Sequence, residues 1–290
     1  MKAVSPMNIS AKTKIRHRNE LNQTLAQLPL AAKRVIFMAL VAIDSKTPME
    51  EGRIFRVRAE DLAAVSQITS SAAYRQLQEG AKILKSSSLV LTGDDIIALA
   101  GDLNLPYSAK YKPDDIDLSI TDFCAYFKKE GFLELRFSRV IEPYISNLIG
   151  KNNKYTTQFF TSSMRLTGKH ASPLYQLIRK NYSKSKGKCS FIISVNDLKD
   201  EIIAYTFSAD GEVEYLYPNF PTFKRDVLNK AIVEIEKVTE VKNINISVYA
   251  KEGRKVSVLK FDFFIDEDNE ISDDELDSEQ DLLNLLSRKT

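Results

Sequence analysis

Phe223, Val227, Leu228, Ala231, Ile232, Ile235 and Val238 recur at i, i+4, i+5, i+8 and i+9. That is the spacing of a helix with one apolar stripe laid on a core, and it predicts an amphipathic helix over 221–238. Upstream, residues 190–195 (Ser-Phe-Ile-Ile-Ser-Val) read as a short strand and 196–202 as a short helix, with Asn196 as its N-cap. The same grammar occurs earlier in the chain. Residues 54–58 are extended, 59–65 form a short helix without a capping side chain at Arg58 or Ala59, and 69–84 form a longer helix burying Leu77, Ala81 and Leu84. Strand, helix, turn and helix, stated twice, predict two helix-turn-helix modules, a motif that lays its second helix in a DNA groove.

The rest of the pattern fills in around these modules. Leu21, Leu28 and Val35 stand at heptad spacing, but Pro29 interrupts the run and would break a continuous helix. A buried first helix over 31–43 is the expected reading, rather than a zipper. Residues 88–92 and 131–137 read as strands, 140–149 close the first half, and 95–100 and 104–110 show no clear period. Gly150 to Lys154 is polar and glycine-led, the expected linker, and Tyr155 opens the second half. A helix is predicted around 173–182, with Pro173 in its first turn. Between the two helices of the second module, 205–219 should form a hairpin turning at Asp210-Gly211. After the second module, 241–249 and 255–264 both alternate. They predict a β-hairpin whose turn places Gly253 at positive φ and offers Lys251, Arg254 and Lys255 at the tip.

At 290 residues, 43% hydrophobic and 28% charged, the chain suits two folded domains. It holds no run of about 20 apolar residues to span a membrane, and its first residues lack the apolar core of a signal peptide. Cys124 and Cys189 have neither disulfide-framework nor metal-ligand spacing, so a cytoplasmic protein with reduced thiols is expected. The net charge of +2 hides an asymmetry: residues 266–281 hold ten acids and no base. Setting those acids aside, with Arg288 and Lys289, leaves 39 bases and 29 acids, about +10, in residues 1–265. A basic body is the footprint of a nucleic-acid binder. The acidic tail is expected to be disordered, whether as a solvated end or as a competitor for the basic face. Residues 1–19, ending in Lys-Thr-Lys-Ile-Arg-His-Arg, read as a basic arm reaching phosphates or as a frayed terminus.

Opposite the apolar stripe of 221–238 lie Thr222, Lys224, Arg225, Asn229 and Lys230, mostly in the first two turns, where a recognition helix meets base edges. Arginine matches guanine bidentately and asparagine matches adenine, which singles out Arg225 and Asn229. The bland alternative is a solvated helix face. The tip cations Lys251, Arg254 and Lys255 suit phosphate contacts, or a solvated turn. In the first module the outward residues are Ser71, Tyr74, Arg75 and Gln78, all able to donate to phosphates or bases. The fold expected is α+β, two winged-helix domains in tandem: 1–150 for dimerisation and auxiliary DNA contacts, 151–266 as main reader, and 267–290 as tail. There is no G-x-x-x-x-G-K-[ST] loop, and His17 and His170 are the only histidines. They cannot make the paired-histidine metal site of a nicking enzyme, so no catalysis, metal or cofactor is expected.

Several runs resemble the π-type replication initiators of iteron-containing plasmids: 12–22, 24–30, 58–64, 73–77, 141–146, 174–180 and 223–232. The resemblance covers roughly residues 12–268 in order. It implies two winged-helix domains, monomers that bind tandem origin repeats (iterons), promote origin opening and help recruit the host replication initiator, helicase and primase. It also implies dimers that bind an inverted repeat and repress the initiator's own gene. Ser71 and Tyr74 match first-domain contact positions, and Lys224, Arg225 and Asn229 match the second-domain recognition helix. Pro106 and Tyr107 match a loop governing dimerisation, where the family carries Phe in place of Tyr107. A dedicated repressor without an initiation role is the alternative.

Overall fold

The computed structural model describes residues 12–92, 113–149, 154–183 and 189–266. The predicted linker (apart from Lys154), the loop with Pro106 and Tyr107, and the acidic tail lie outside the described residues.

The chain opens with strand β1 (Lys14–Arg18), then α1 (Leu21–Gln27) and α2 (Leu30–Leu40). Pro29, extended at φ −55° and ψ 149°, separates the two helices, as its missing N–H and its effect on the preceding residue require. Residues Ala31 to Leu40 of α2 are all buried, making it the central rod of the first core. Gly80 lets a later helix cross it closely: a Cβ there would stand 2.9 Å from the Ala31 carbonyl oxygen and from Val35 Cγ2.

Next come β2 (Phe55–Arg58), α3 (Ala59–Ser66) and α4 (Ser70–Leu84), the first helix-turn-helix. Arg58 precedes α3 without a capping side chain, whereas Thr69 caps α4 by accepting from the Ala72 N–H at 3.3 Å. Strands β3 (Ser88–Thr92) and β4 (Asp115–Ser119) pair as a ribbon. Strands β5 (Thr121–Phe127) and β6 (Phe132–Phe137) form a hairpin that joins β2 in the order β2-β6-β5, and the short α5 (Glu142–Ile145) follows.

Strand β7 (Tyr155–Phe159) runs antiparallel to β1, Ile15 facing Gln158 and His17 facing Thr156. The basic run before residue 19 is therefore no arm. Arg16, His17 and Arg18 are buried: strand pairing satisfies their backbone, and the Arg18 guanidinium lies 5.6 Å from the Tyr144 ring centroid and pairs with Glu20 at 3.3 Å, while Lys14 beside them lies 5.4 Å from the Phe159 ring centroid. Helix α6 (Phe160–Arg165) leads to α7 (Ala171–Asn181), with Pro173 in its first turn.

The second helix-turn-helix consists of β8 (Ser190–Ser194), α8 (Val195–Glu201), a ribbon of β9 (Tyr205–Phe207) and β10 (Val213–Tyr215), and the long helix. Its cap is Ser194, whose hydroxyl accepts from the Asp197 N–H at 3.0 Å, not Asn196. The helix starts one turn-position earlier than predicted, as the apolar Val195 is needed in the core. The ribbon turns at Asp210-Gly211 with Gly211 at φ +81°, as expected. The long helix runs from α9 (Phe220–Phe223) through a π-helical turn (Lys224–Leu228) into α10 (Asn229–Val238). Strands β11 (Val241–Glu252) and β12 (Lys255–Ile265) then form the large hairpin, and β12 also pairs with β8.

Two apolar cores result. One gathers Ile15, α2, the inner faces of α3 and α4, Leu133, Leu135, Phe160 and Met164. The other gathers Leu174, Ile178, Phe191, Leu198, Phe223, Leu228, Ile235, Leu259 and Phe261.

Candidate nucleic-acid interface

The second module's long helix is seated by Phe223, Val227, Leu228, Ala231 and Ile235, all buried. Their spacing fixes which side chains face out. Arg225, Asn229 and Lys230 are exposed, and Thr222 and Lys224 half-buried, so the structure brings all five predicted residues to the outer side of the first turns. The π-helical turn falls on this stretch. Such turns insert one residue into a helix and are frequent at functional sites. Arg225 has a side chain 73% exposed and forks onto its neighbour, Nε donating to Asp226 Oδ1 at 2.9 Å and Nη2 to Oδ2 at 2.8 Å. Those hydrogen bonds and the adjacent charge hold the Asp226 carboxyl below its ordinary range and raise the guanidinium's affinity for its proton.

Lys199 supports the helix from below. It is buried, its amine donates to the Tyr217 carbonyl at 2.9 Å, and it sits 5.3 Å from the Phe223 ring centroid. Burial pulls its pKa down. At the far end Lys242 Nζ donates to the carbonyls of Glu236 and Thr239, a cation closing the negative end of the helix.

The β11–β12 hairpin carries Lys251, Arg254 and Lys255, all exposed, around Gly253 at φ +60°. Irregular register at 248–251 bends the ribbon, as bulges do. A long helix with a polar, basic outer face thus stands beside a basic two-stranded wing, a set of donors whose chemistry suits phosphates and base edges.

In the first module Ser71, Tyr74, Arg75 and Gln78 are all exposed or half-buried on one side of α4, while Ala73, Leu77, Ala81 and Leu84 are buried. The β5–β6 hairpin is its wing. Gly131, at φ +69°, lies under Tyr74: a Cβ there would come within 2.5 Å of the phenol oxygen. The tip bears exposed Lys128 and Lys129, which sequence reasoning missed because the strand before them, β5, is only half-covered along most of its length and shows no alternation. A Lys-Lys-Glu-Gly turn after an aromatic-rich run was the available signal. Pro106 and Tyr107 lie outside the described residues. Among the described residues no helix is long and apolar enough to cross a membrane.

Known proteins share this geometry. The description "Initiator Replication protein, WH1" matches residues 14–179, and "Initiator Rep protein, WH2" matches residues 205–263. The chain is 61% identical over 279 residues to the PI protein of Escherichia coli, covering 96% of this chain and 91% of that protein. It is also similar to the crystal structure of Pi initiator protein in complex with iteron DNA, at 59% identity and TM-score 0.81, over 89% of this chain and all of that one. With two winged helices, matched along most of its length, the chain belongs to the initiator replication protein family with WH1 and WH2 domains.

Proposed function

We propose that this protein is a cytoplasmic plasmid replication initiator that binds tandem origin repeats as a monomer through both winged helices. The observation that carries the reading is the outward face of Thr222, Lys224, Arg225, Asn229 and Lys230 beside the basic wing, in a chain 59% identical to a Pi initiator solved on iteron DNA. The division of labour is part of the proposal. Residues 151–266 read sequence, and residues 1–150 add grip through α4 and the Lys128-Lys129 wing and serve dimerisation through the Pro106-Tyr107 loop. Dimers would occupy an inverted repeat and repress the initiator's own gene, and DNA-bound monomers would recruit the host replication initiator, helicase and primase. The chain has no phosphate-loop motif, so origin opening draws on binding energy and DNA deformation, which costs several kcal/mol, rather than on nucleotide hydrolysis.

The test has two steps. A duplex of tandem repeats from the adjoining DNA should be bound far more tightly than a scrambled duplex at equal salt. The gene supplied alone should then maintain a plasmid carrying that origin. Specific binding without maintenance would leave a dedicated repressor; equal binding to both duplexes would end the reading altogether.

A further inference from the structure

The two helix-turn-helix modules differ most between their helices. In the first, α3 ends at Ser66 and α4 begins at Ser70. In the second, residues 202–219 intervene and carry the β9–β10 ribbon, which the first module folds without. Its register pairs Val213 with Phe207, Glu214 with Thr206 and Tyr215 with Tyr205. Alternation therefore puts Tyr205, Phe207, Val213 and Tyr215 on one face and Thr206 and Glu214 on the other.

The base of this ribbon is anchored. The Tyr215 hydroxyl donates to Asp200 Oδ2 at 2.9 Å, and Tyr205 Oη accepts from Gln27 Nε2 at 3.0 Å. The outer half is bare: Phe207 is 62% exposed and Val213 48%. A two-stranded ribbon has no core of its own in which to hide such side chains, and an exposed apolar cluster rimmed by polar groups marks an interaction site.

The rim is acidic. Asp210 and Glu212 are exposed at the turn end of the ribbon beside the apolar pair, and Glu214 on its reverse face; Asp197 and Asp200 stand on the adjoining helix, where Glu201 is already paired with Lys180 at 2.6 Å. The sole cation between 196 and 219 is Lys199, which is buried. This patch thus opposes the sign of a body that is about +10 over residues 1–265. Carboxylates repel phosphates, so the patch is unsuited to DNA. We propose that the β9–β10 ribbon is a docking site for a second protein, whose matching segment sets an apolar side chain among lysines or arginines. The proposal rests on the initiator reading and deepens it, naming the surface through which the DNA-bound chain holds a protein partner.

Two readouts keep its failure distinct from that of the initiator reading. In the first, the isotope-labelled full chain is titrated with a synthetic peptide of alternating lysine and leucine. The peptide should shift the amides of 205–215, and Asp210→Lys with Glu212→Lys should weaken this binding at least tenfold. Absence of shifts at 205–215 overturns the proposal, whatever the chain does in cells. In the second, Phe207→Thr with Val213→Thr, which keeps strand-forming residues, should leave affinity for the repeat duplex and the sedimentation coefficient unchanged. The same pair should lower maintenance of the origin plasmid at least tenfold. Loss of duplex affinity would assign the face to DNA, altered sedimentation would assign it to a second copy of the chain, and unchanged maintenance would make it idle; each overturns the proposal.

Discussion

Arg225 meets the solvent with its guanidinium already forked onto Asp226, so a base or phosphate must compete with a neighbour that keeps the side chain aimed. The fork is the geometry that matches guanine O6 and N7. Arg225→Ala should lower the preference for repeat over scrambled duplex by about 1–3 kcal/mol in competition binding. Asp226→Asn, which frees the fork, should instead raise affinity for both duplexes together. Equal discrimination by the Arg225→Ala protein would remove it from the readers. Such positions were legible because they are the complement of an apolar stripe. Arg16, His17 and Arg18 were not, since a short basic run looks the same in water as against Tyr144 and Phe159 until its partner strand, over a hundred residues on, is known.

Helices were the readable elements. Their stripes, the break at Pro29 and the turns at Gly211 and Gly253 all follow from local sterics and burial. Strands whose faces are unequally covered were harder: β5 is intermediate along most of its length, which erases the period of two, and the wing it builds went unseen with it. The role proposed for that wing is measurable. Lys128→Ala with Lys129→Ala should weaken binding to every duplex alike. The plot of log affinity against log salt should flatten by about 0.9 for each phosphate the wing no longer neutralises. Lys251→Ala should do the same at the second wing. A change in sequence preference in either protein would mean that the wings read bases. The π-helical turn was also invisible from the stripe, because an apolar i, i+4, i+5 spacing tolerates one extra residue between Phe223 and Leu228.

At the scale of the whole molecule, the β1–β7 ribbon and α7 form a polar seam between the cores. His17, 0% exposed, accepts at Nε2 from Gln158 Nε2 at 3.0 Å and donates from Nδ1 to the Arg18 carbonyl at 3.1 Å, the arrangement of a neutral ring. The Gln158 oxygen is already taken by the Ser163 hydroxyl, so the amide cannot turn to greet a second ring proton. Burial pulls this imidazole from 6.5 to about 4. The unfolded chain therefore takes up a proton that the folded chain refuses between those values. Stability from this group is complete above about pH 6.5 and declines as the pH falls to about 4, by roughly 3 kcal/mol in all. Urea midpoints measured across that window should fall with pH, and those of His17→Gln should fall less; parallel curves would clear His17 of the effect.

Glu240 lies directly between the recognition helix and its wing, and the seam grips it. Arg179 pairs with it at 3.2 Å, and the Tyr175 and Ser162 hydroxyls donate to it at 2.8 and 2.7 Å, all buried. Arg179 Nε in turn donates to the Thr157 carbonyl of β7 at 2.8 Å. For a duplex gripped by both modules, this makes the protein a ruler. On the proposed reading, the angle between the two DNA-facing helices is set inside the chain before DNA arrives, and binding would then depend on helical phase. Two half-sites of correct sequence but separated by half a turn too many would face opposite sides of the duplex.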